Sequence, residues 1–161
     1  MTDDQPDGVQ RNYVNQPLRD ALDAFAAEPS IPGIELALAA AIAGGLVIDI
    51  TGSNRATGLR VREVAATTGG RVLPVFSSLA ELGLAVPAHQ RKRVQGSIIP
   101  GKNALNLIRE DEGYVAAQID AGSRKIIVKR EFVVQALDLA DASDGIGADD
   151  AGSADAASTD D

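Results

Sequence analysis

The feature that most constrains the fold is a long apolar run in the first third of the chain, IELALAAAIAGGLVIDI at Ile34–Ile50. Its first ten residues, Ile34–Ala43, form helices readily and are apolar on nearly every side, which predicts a well-buried helix. The Gly-Gly pair that follows ends this helix, and the LVIDI stretch predicts a short strand. Two acids and two glycines interrupt the run, and it is too short and too alanine-rich to span a bilayer.

The composition sets further limits. The chain has 161 residues, which fits one domain with tails. Because only 3% of residues are aromatic while 45% are hydrophobic, the core must consist mainly of Ala, Val, Leu and Ile. There is no cysteine, which excludes disulfides, thiolate nucleophiles and cysteine metal sites. The opening MTDDQPDG has neither the basic nor the apolar region of a secretory signal. We expect a cytoplasmic protein that does not contact a membrane.

The remaining pattern predicts an α+β domain. Asn15 is a good N-cap for a first helix, with Pro17 in its first turn. Pro74 indicates a sheet edge or a bulge, because it cannot donate a ladder hydrogen bond. The predicted order after the apolar run is strands at 59–66 and 71–76 joined as an antiparallel hairpin, a short helix at 79–85, a strand at 91–96, a helix at 100–110, strands at 114–119 and 125–129, and a helix at 131–140. This order predicts a mixed or antiparallel sheet with helices packed on it.

Both ends of the chain are acidic. Residues 1–10 hold three Asp and residues 141–161 hold seven, and neither stretch contains Lys or Arg, whereas the middle of the chain is slightly basic. The last 21 residues include one large apolar side chain, Ile146, and cannot bury enough surface to offset the entropy of ordering. We expect disordered segments at 1–12 and 141–161 around a domain at 13–140. The tail is either solubilising or an electrostatic arm that covers a basic surface of this domain or of a partner.

A serine pair, Ser77-Ser78, stands where a predicted strand meets a predicted helix. A nucleophile elbow requires G-x-S-x-G, and no glycine flanks these serines. Ser78 and Glu81 instead form the S-x-x-E pattern of a capping box, which predicts reciprocal bonds between each side chain and the other residue's amide. The only histidine, His89, leaves a hydrolase with Ser77 or Ser78 as the nucleophile as an alternative, with Asp49 or Asp120 as the acid.

Other chemical sites are weakly indicated. One histidine and no cysteine give no metal site, and no pattern predicts a cofactor. The start of the predicted helix at 100–110 carries a glycine and a lysine, which fits either a plain helix entry or an anion site. Arg91, Lys92 and Arg93 form the densest basic run. Without interleaved aromatic residues this run does not indicate nucleic acid binding, so we interpret it as an exposed sheet edge or a patch that binds another protein.

The order of these segments resembles that of a known family. The N-x-x-L-x-x-A-L pattern at Asn15–Leu22, the segment GRVLPVFSSLAELG at Gly70–Gly83 and the final helix–strand–strand–helix succession resemble the N-terminal domain of the bacterial SseB-like family, named for enhanced serine sensitivity. The resemblance covers about Asn15–Leu137. Asp120-Ala121-Gly122 stands where the family often has Asn-Pro. We expect a single-domain version of the family, without a second SseB-type domain.

The resemblance implies a single α+β domain without established catalytic residues. We therefore expect a non-catalytic module that binds another protein or regulates it, rather than an enzyme. A small-molecule-binding domain, or a minor hydrolase that uses Ser77 or Ser78 with His89, is the alternative. A large exposed apolar patch would favour partner binding.

Overall fold

The computed structural model describes residues 12–158, and side chains are described for residues 12–144. The elements are helices α1 (Gln16–Ala27), α2 (Ile31–Ala43), α3 (Leu79–Leu84), α4 (Gly101–Glu110) and α5 (Arg130–Ser158), strands β1 (Gly45–Asp49), β2 (Val64–Ala65), β3 (Arg71–Val75), β4 (Gly96–Pro100), β5 (Tyr114–Ile119) and β6 (Ile126–Lys129), and a 3₁₀ helix at Ala88–Arg93. The predicted α+β class with a mixed sheet is confirmed. No helix within residues 12–158 is long and apolar enough to cross a bilayer.

The sheet has a four-stranded part with the order β2-β3-β5-β6 and a two-stranded part that pairs β1 with β4. Strands β3 and β5 are parallel, and the other pairings are antiparallel. Val47 of β1 and Phe76, just after β3, exchange two backbone hydrogen bonds of 2.9 Å, which join the two parts. On the same edge of β3, Val72 pairs with β2 and Phe76 pairs with β1, and Pro74 lies between them. Neither strand pairs with this edge at Pro74, so the sheet loses no hydrogen bond through the missing N–H of proline.

Helices α1, α2, α4 and α5 contribute to one core with the sheet, whereas α3 packs with Val47 and Phe76 in a smaller second cluster. Leu18 and Leu22 of α1 are fully buried, and the side chain of Asn15 accepts from the amide of Leu18 at 3.1 Å, which confirms the predicted N-cap. In α2 the prediction of all-round burial is wrong, because Leu36 is 67% exposed while Leu38 is 1% exposed. The helix covers the core with one side only.

Two predicted strands are corrected. Of the predicted strand at 59–66 only Val64 and Ala65 pair with β3, because the preceding loop follows β1 instead, where the amide of Arg62 donates to the carbonyl of Asp49. The predicted strand at 91–96 is wrong: residues 88–93 form the 3₁₀ helix. The strand of this region comes later, as β4, which pairs with β1.

The end of the ordered domain at residue 140 stays a prediction. Helix α5 continues past this point to Ser158. The carboxylate of Asp141 lies 2.7 Å from Lys102 Nζ and 2.9 Å from Arg109 Nη1, so the first residue of the predicted tail is attached to α4. These two donors hold the pKa of Asp141 below its ordinary value. Of the predicted disordered N-terminus, residues 1–11 lie outside the described residues.

Candidate interaction surfaces

Ser77 lies in a buried polar pair with Asp120. Both residues are completely buried, at the adjacent carboxyl ends of the parallel strands β3 and β5. Asp120 accepts from the amide and from the hydroxyl of Ser77, each at 2.8 Å. Burial raises the pKa of the Asp120 carboxyl above its ordinary value, and the two hydrogen bonds from Ser77 oppose this shift. The pair joins two strand ends, and its hydroxyl is not open to a substrate.

Ser78 caps α3 as predicted. Its hydroxyl accepts from the amide of Glu81 at 3.1 Å. The reciprocal bond from Glu81 to the amide of Ser78 was expected and is not formed. The Glu81 carboxylate turns the other way, accepting from Ser123 at 2.6 Å and from Arg19 at 3.2 Å. These partners lie in the loop after β5 and on α1, so the Glu81 side chain connects distant segments that the local pattern did not predict.

His89 stands apart from the serine pair. It is exposed on the 3₁₀ helix, whereas Ser77 and Ser78 are buried, and its ring nitrogen contacts Gln90 at 3.4 Å. Within residues 12–144 no hydrogen bond links His89 to either serine. The same part of the chain holds no group of three metal-ligating side chains. The acid that does contact Ser77, Asp120, has no imidazole between it and the hydroxyl.

The basic run lies on the same 3₁₀ helix as His89. Arg91, Lys92 and Arg93 are all exposed. The guanidinium of Arg91 donates to the carbonyl of Gly83 at 2.8 Å, at the end of α3. The run is therefore a helical surface turn beside α3 rather than a sheet edge.

A large apolar groove, with a volume of about 1250 Å³, lies over strands β2, β3, β5 and β6 beside helix α5. Its floor follows from the strand register. Val64, Val72, Ala116 and Lys129 form one cross-strand row, and Gln118 and Ile127 lie opposite each other in a second. Because side chains alternate between the two faces of a strand, Leu73, Ala117 and Val128 between these rows point into the core.

Two walls flank this floor. Val134, Gln135 and Leu139 of α5 form one wall, and the Thr67–Thr68 turn forms the other. Four large apolar residues in the groove are well exposed: Val64 at 44%, Val115 at 38%, Ile127 at 58% and Leu139 at 58%. The groove is thus a contiguous apolar patch of the kind that marks an interaction site.

Arg130 fixes α5 beside the groove. Its guanidinium donates to the backbone carbonyl of Ile108 and, at 3.0 Å, to that of Arg109, at the end of α4. It also reaches the carbonyls of Asp111 at 2.9 Å and Tyr114 at 3.2 Å. These carbonyls have no partner in the regular helical pattern, so Arg130 caps α4 and positions the start of α5.

Tyr114 closes one end of the groove. Its hydroxyl donates to Glu63 at 2.9 Å, and the guanidinium of Arg71 lies 4.6 Å from the ring centroid. Arg71 also pairs with Asp111 at 2.7 Å. Burial, followed by the hydrogen bond to Glu63, raises the pKa of Tyr114 to about 12. The ring and its two charged neighbours fix the end of β5 against the β2–β3 hairpin.

We expect the phenol of Tyr114 to titrate with a midpoint of about 12, against an ordinary value of 10.0. An acid whose pKa is raised by folding contributes stability that is intact below the unfolded pKa and is lost as the pH rises through the folded one. The free energy of unfolding should therefore fall between pH 10 and about 12. An ultraviolet absorbance titration of wild type and Tyr114→Phe isolates this group. A Tyr114 transition near pH 10 would contradict the structure.

Comparison with known proteins agrees with this architecture. The family model described as SseB protein N-terminal domain matches residues 18–135. The chain belongs to the SseB family. The match agrees with the resemblance stated from Asn15 to Leu137, and it takes in the sheet, the groove floor and the Ser77–Asp120 pair of the SseB domain. No curated protein and no solved structure shows significant similarity to the chain.

Sequence reasoning missed the apolar groove of this SseB domain. Its floor combines residues from β2, β3, β5 and β6, which are separated along the chain and meet only through strand pairing. The available signal was the alternation in β6, where Ile127 is apolar at a position that faces away from the core. Val115 of β5 gave no such signal, because its exposure follows from a register shift in the β3–β5 pairing between Arg71 and Val72. An exposed branched side chain on a sheet face, repeated on neighbouring strands, predicts a covered surface.

Proposed function

We propose that this SseB domain is a non-catalytic protein-interaction module whose binding surface is the apolar groove. The observation that carries the proposal is the exposure of Val64, Val115, Ile127 and Leu139 on one concave surface. Covering these side chains removes apolar area from water, which is the main favourable term in protein association. The rigid sheet and the Arg130-anchored helix keep the groove open without a partner, so little conformational entropy is lost on binding.

The charges at the rim favour a partner segment that carries basic residues. Glu112 and Glu131 lie at the groove and form no ion pair with other residues in the range 12–144. Two cations also line it, Lys129 and Arg130, but the guanidinium of Arg130 is directed at four backbone carbonyls around the end of α4. A second copy, packed about a two-fold axis, would bring the same acids together. The chain's own acidic ends would meet the same repulsion. We therefore commit to an amphipathic helix of another protein, apolar on one side and flanked by Lys or Arg.

A capture experiment with matched variants tests this function. Full-length protein is used as bait in lysate of its native host, as wild type, Ile127→Asp and Leu36→Asp. Leu36 is the control, because it is 67% exposed on α2 and does not line the groove. A charge placed in the apolar centre of an interface should weaken binding by about 2 kcal/mol or more. We expect one partner to bind wild type and Leu36→Asp and to be lost with Ile127→Asp.

Two other outcomes would overturn the proposal. If every captured protein binds Ile127→Asp as well as wild type, the groove is not the binding surface. If the purified protein alone forms a dimer that Ile127→Asp dissociates, the occupant is a second copy. The Glu131→Lys variant provides an independent check. It should weaken the binding of a basic partner and reduce the salt dependence of that binding.

A further inference from the structure

Two segments that contain no Asp or Glu meet on one surface of this acidic chain. The loop from Ile50 to Arg62 contains three arginines and no Asp or Glu, and the stretch from Leu82 to Arg109 also lacks acids. The structure brings the two segments together, since the amide of Ile50 donates to the carbonyl of Gln95 at 2.8 Å and the amide of Gln95 donates to Thr51 Oγ1 at 3.0 Å. In a protein with a net charge of −8, this local excess of cations attracts anions.

A polar cavity of about 440 Å³ opens at this junction. Arg62 approaches it from the loop, and His89 and Arg93 approach it from the 3₁₀ helix. Thr51, Gln90 and Val94 complete the lining. Two guanidinium groups and an imidazole on one small cavity form a donor set without an acidic residue among the lining side chains.

Asp49 forms an ion pair with one member of this donor set, Arg62. The Asp49 side chain is 3% exposed and lies under the loop. One carboxylate oxygen accepts from the amide of Thr51 at 2.9 Å and from its hydroxyl, and the other lies 3.5 Å from Arg62 Nη1. At this distance the contact leaves the remaining Arg62 donors available. The guanidinium of Arg93 forms no hydrogen bond or ion pair with any residue between 12 and 144.

We infer that this cavity binds the phosphate group of a small phosphorylated molecule. A planar guanidinium presents paired N–H donors that match two oxygens of a phosphate. Two guanidinium groups can therefore bind more of the oxygens of a phosphate than the two oxygens that a carboxylate offers. The cavity lies within the size range of small-molecule sites, and Val94 gives it an apolar side for the rest of the ligand. The site is independent of the apolar groove, because the two cavities share no lining residue.

Calorimetry and amide NMR on the full-length protein test the site, with inorganic phosphate, glucose 6-phosphate and glucose as probes. We expect saturable binding of the two phosphorylated probes, amide shifts at Thr51, Arg62 and Arg93, and no binding of glucose. Tighter binding of glucose 6-phosphate than of phosphate supports a metabolite site, and equal affinity supports a site that recognises the phosphate alone.

Matched arginine variants place the site. Arg93→Gln should weaken phosphate binding by about tenfold or more, the effect of losing charged hydrogen bonds. Arg91→Gln is the control, because Arg91 is on the same 3₁₀ helix but donates to Gly83 and does not line the cavity. Equal loss in Arg93→Gln and Arg91→Gln would indicate general attraction of anions and overturn the inference. Absence of saturable binding of both phosphorylated probes would also overturn it.

Discussion

Replacing Gly101 with alanine is expected to destabilise the domain by about 3 kcal/mol or more. Gly101 is the buried first residue of α4, and its amide donates to the carbonyl of Gly44 at 2.8 Å. A Cβ at this position would lie 1.6 Å from the carbonyl oxygen of Ala41, on the backbone of α2. Backbone cannot move aside as a flexible side chain can, so α4 would have to shift away from α2. Urea unfolding followed by circular dichroism measures the loss.

Gly83→Ala is the matched control for this prediction. Gly83 is also helical, in α3, but an added Cβ there meets no atom within 4 Å. Because alanine favours the helix over glycine, we expect no loss or a gain of about 0.5–1 kcal/mol. If Gly101→Ala unfolds at the same urea concentration as wild type, the close contact between α2 and α4 is wrong.

Replacing Asp120 with alanine is expected to cost about 3 kcal/mol of stability. The change leaves the buried amide and hydroxyl of Ser77 without an acceptor. It also places alanine at a φ of 51°, in the left-handed region that Asp and Asn tolerate better than other non-glycine residues. The two effects act together on the junction between β3 and β5. Thermal and urea unfolding of the variant measure the combined loss.

Asp120→Asn is the matched variant, because it removes the charge of the side chain but keeps its shape and a hydrogen-bond acceptor. Asparagine keeps an acceptor for Ser77 and tolerates the same backbone conformation, so we expect it to cost about 1 kcal/mol or less. Because burial raises the pKa of Asp120, the wild-type contribution of this group is largest below the carboxyl's unfolded pKa and falls as the pH rises through the folded one. The stability difference between wild type and Asp120→Asn should therefore favour wild type more at low pH. Equal costs for Asp120→Asn and Asp120→Ala would contradict the hydrogen-bonding role.

Elements that depend on local pattern were predictable from the sequence. The Asn15 cap, the strand that starts at Leu46 in the prediction and at Gly45 in the structure, β5 and the start of α5 are set by caps, glycines and apolar periodicity, which act within a few residues. The hairpin of β2 and β3 was predicted for the same reason, since Gly69 and Gly70 both adopt positive φ in its turn. The Ser78 cap belongs to this group of local features.

Features that depend on distant contacts were not predictable. Residues 91–96 alternate like a strand, yet Arg91 bonds to the end of α3 and β4 forms further on, where it can pair with β1. Glu81 leaves its expected local bond because Arg19 and Ser123 approach from other segments. The ion pairs of Asp141 were not predicted either, since Lys102 and Arg109 lie far from it in sequence.

The interaction surfaces illustrate the same limit. The basic run at 91–93 was visible, but the sequence did not indicate that Arg62 and His89 would share a cavity with Arg93. The apolar groove needs the register of four strands, and a shift by one residue would turn its floor into the core. Each surface therefore depends on contacts between distant segments rather than on any single segment.

Photo-crosslinking in the native host tests directly whether a helix of another protein occupies the groove. A photoreactive side chain is placed at Ile127 in the groove, and in a second protein at Leu36 on α2. We expect an adduct from position 127 and none from position 36. The crosslinked peptide should belong to an amphipathic helix of another protein and carry flanking Lys or Arg. No adduct at position 127, or an adduct there only with a second copy of this chain, would contradict it.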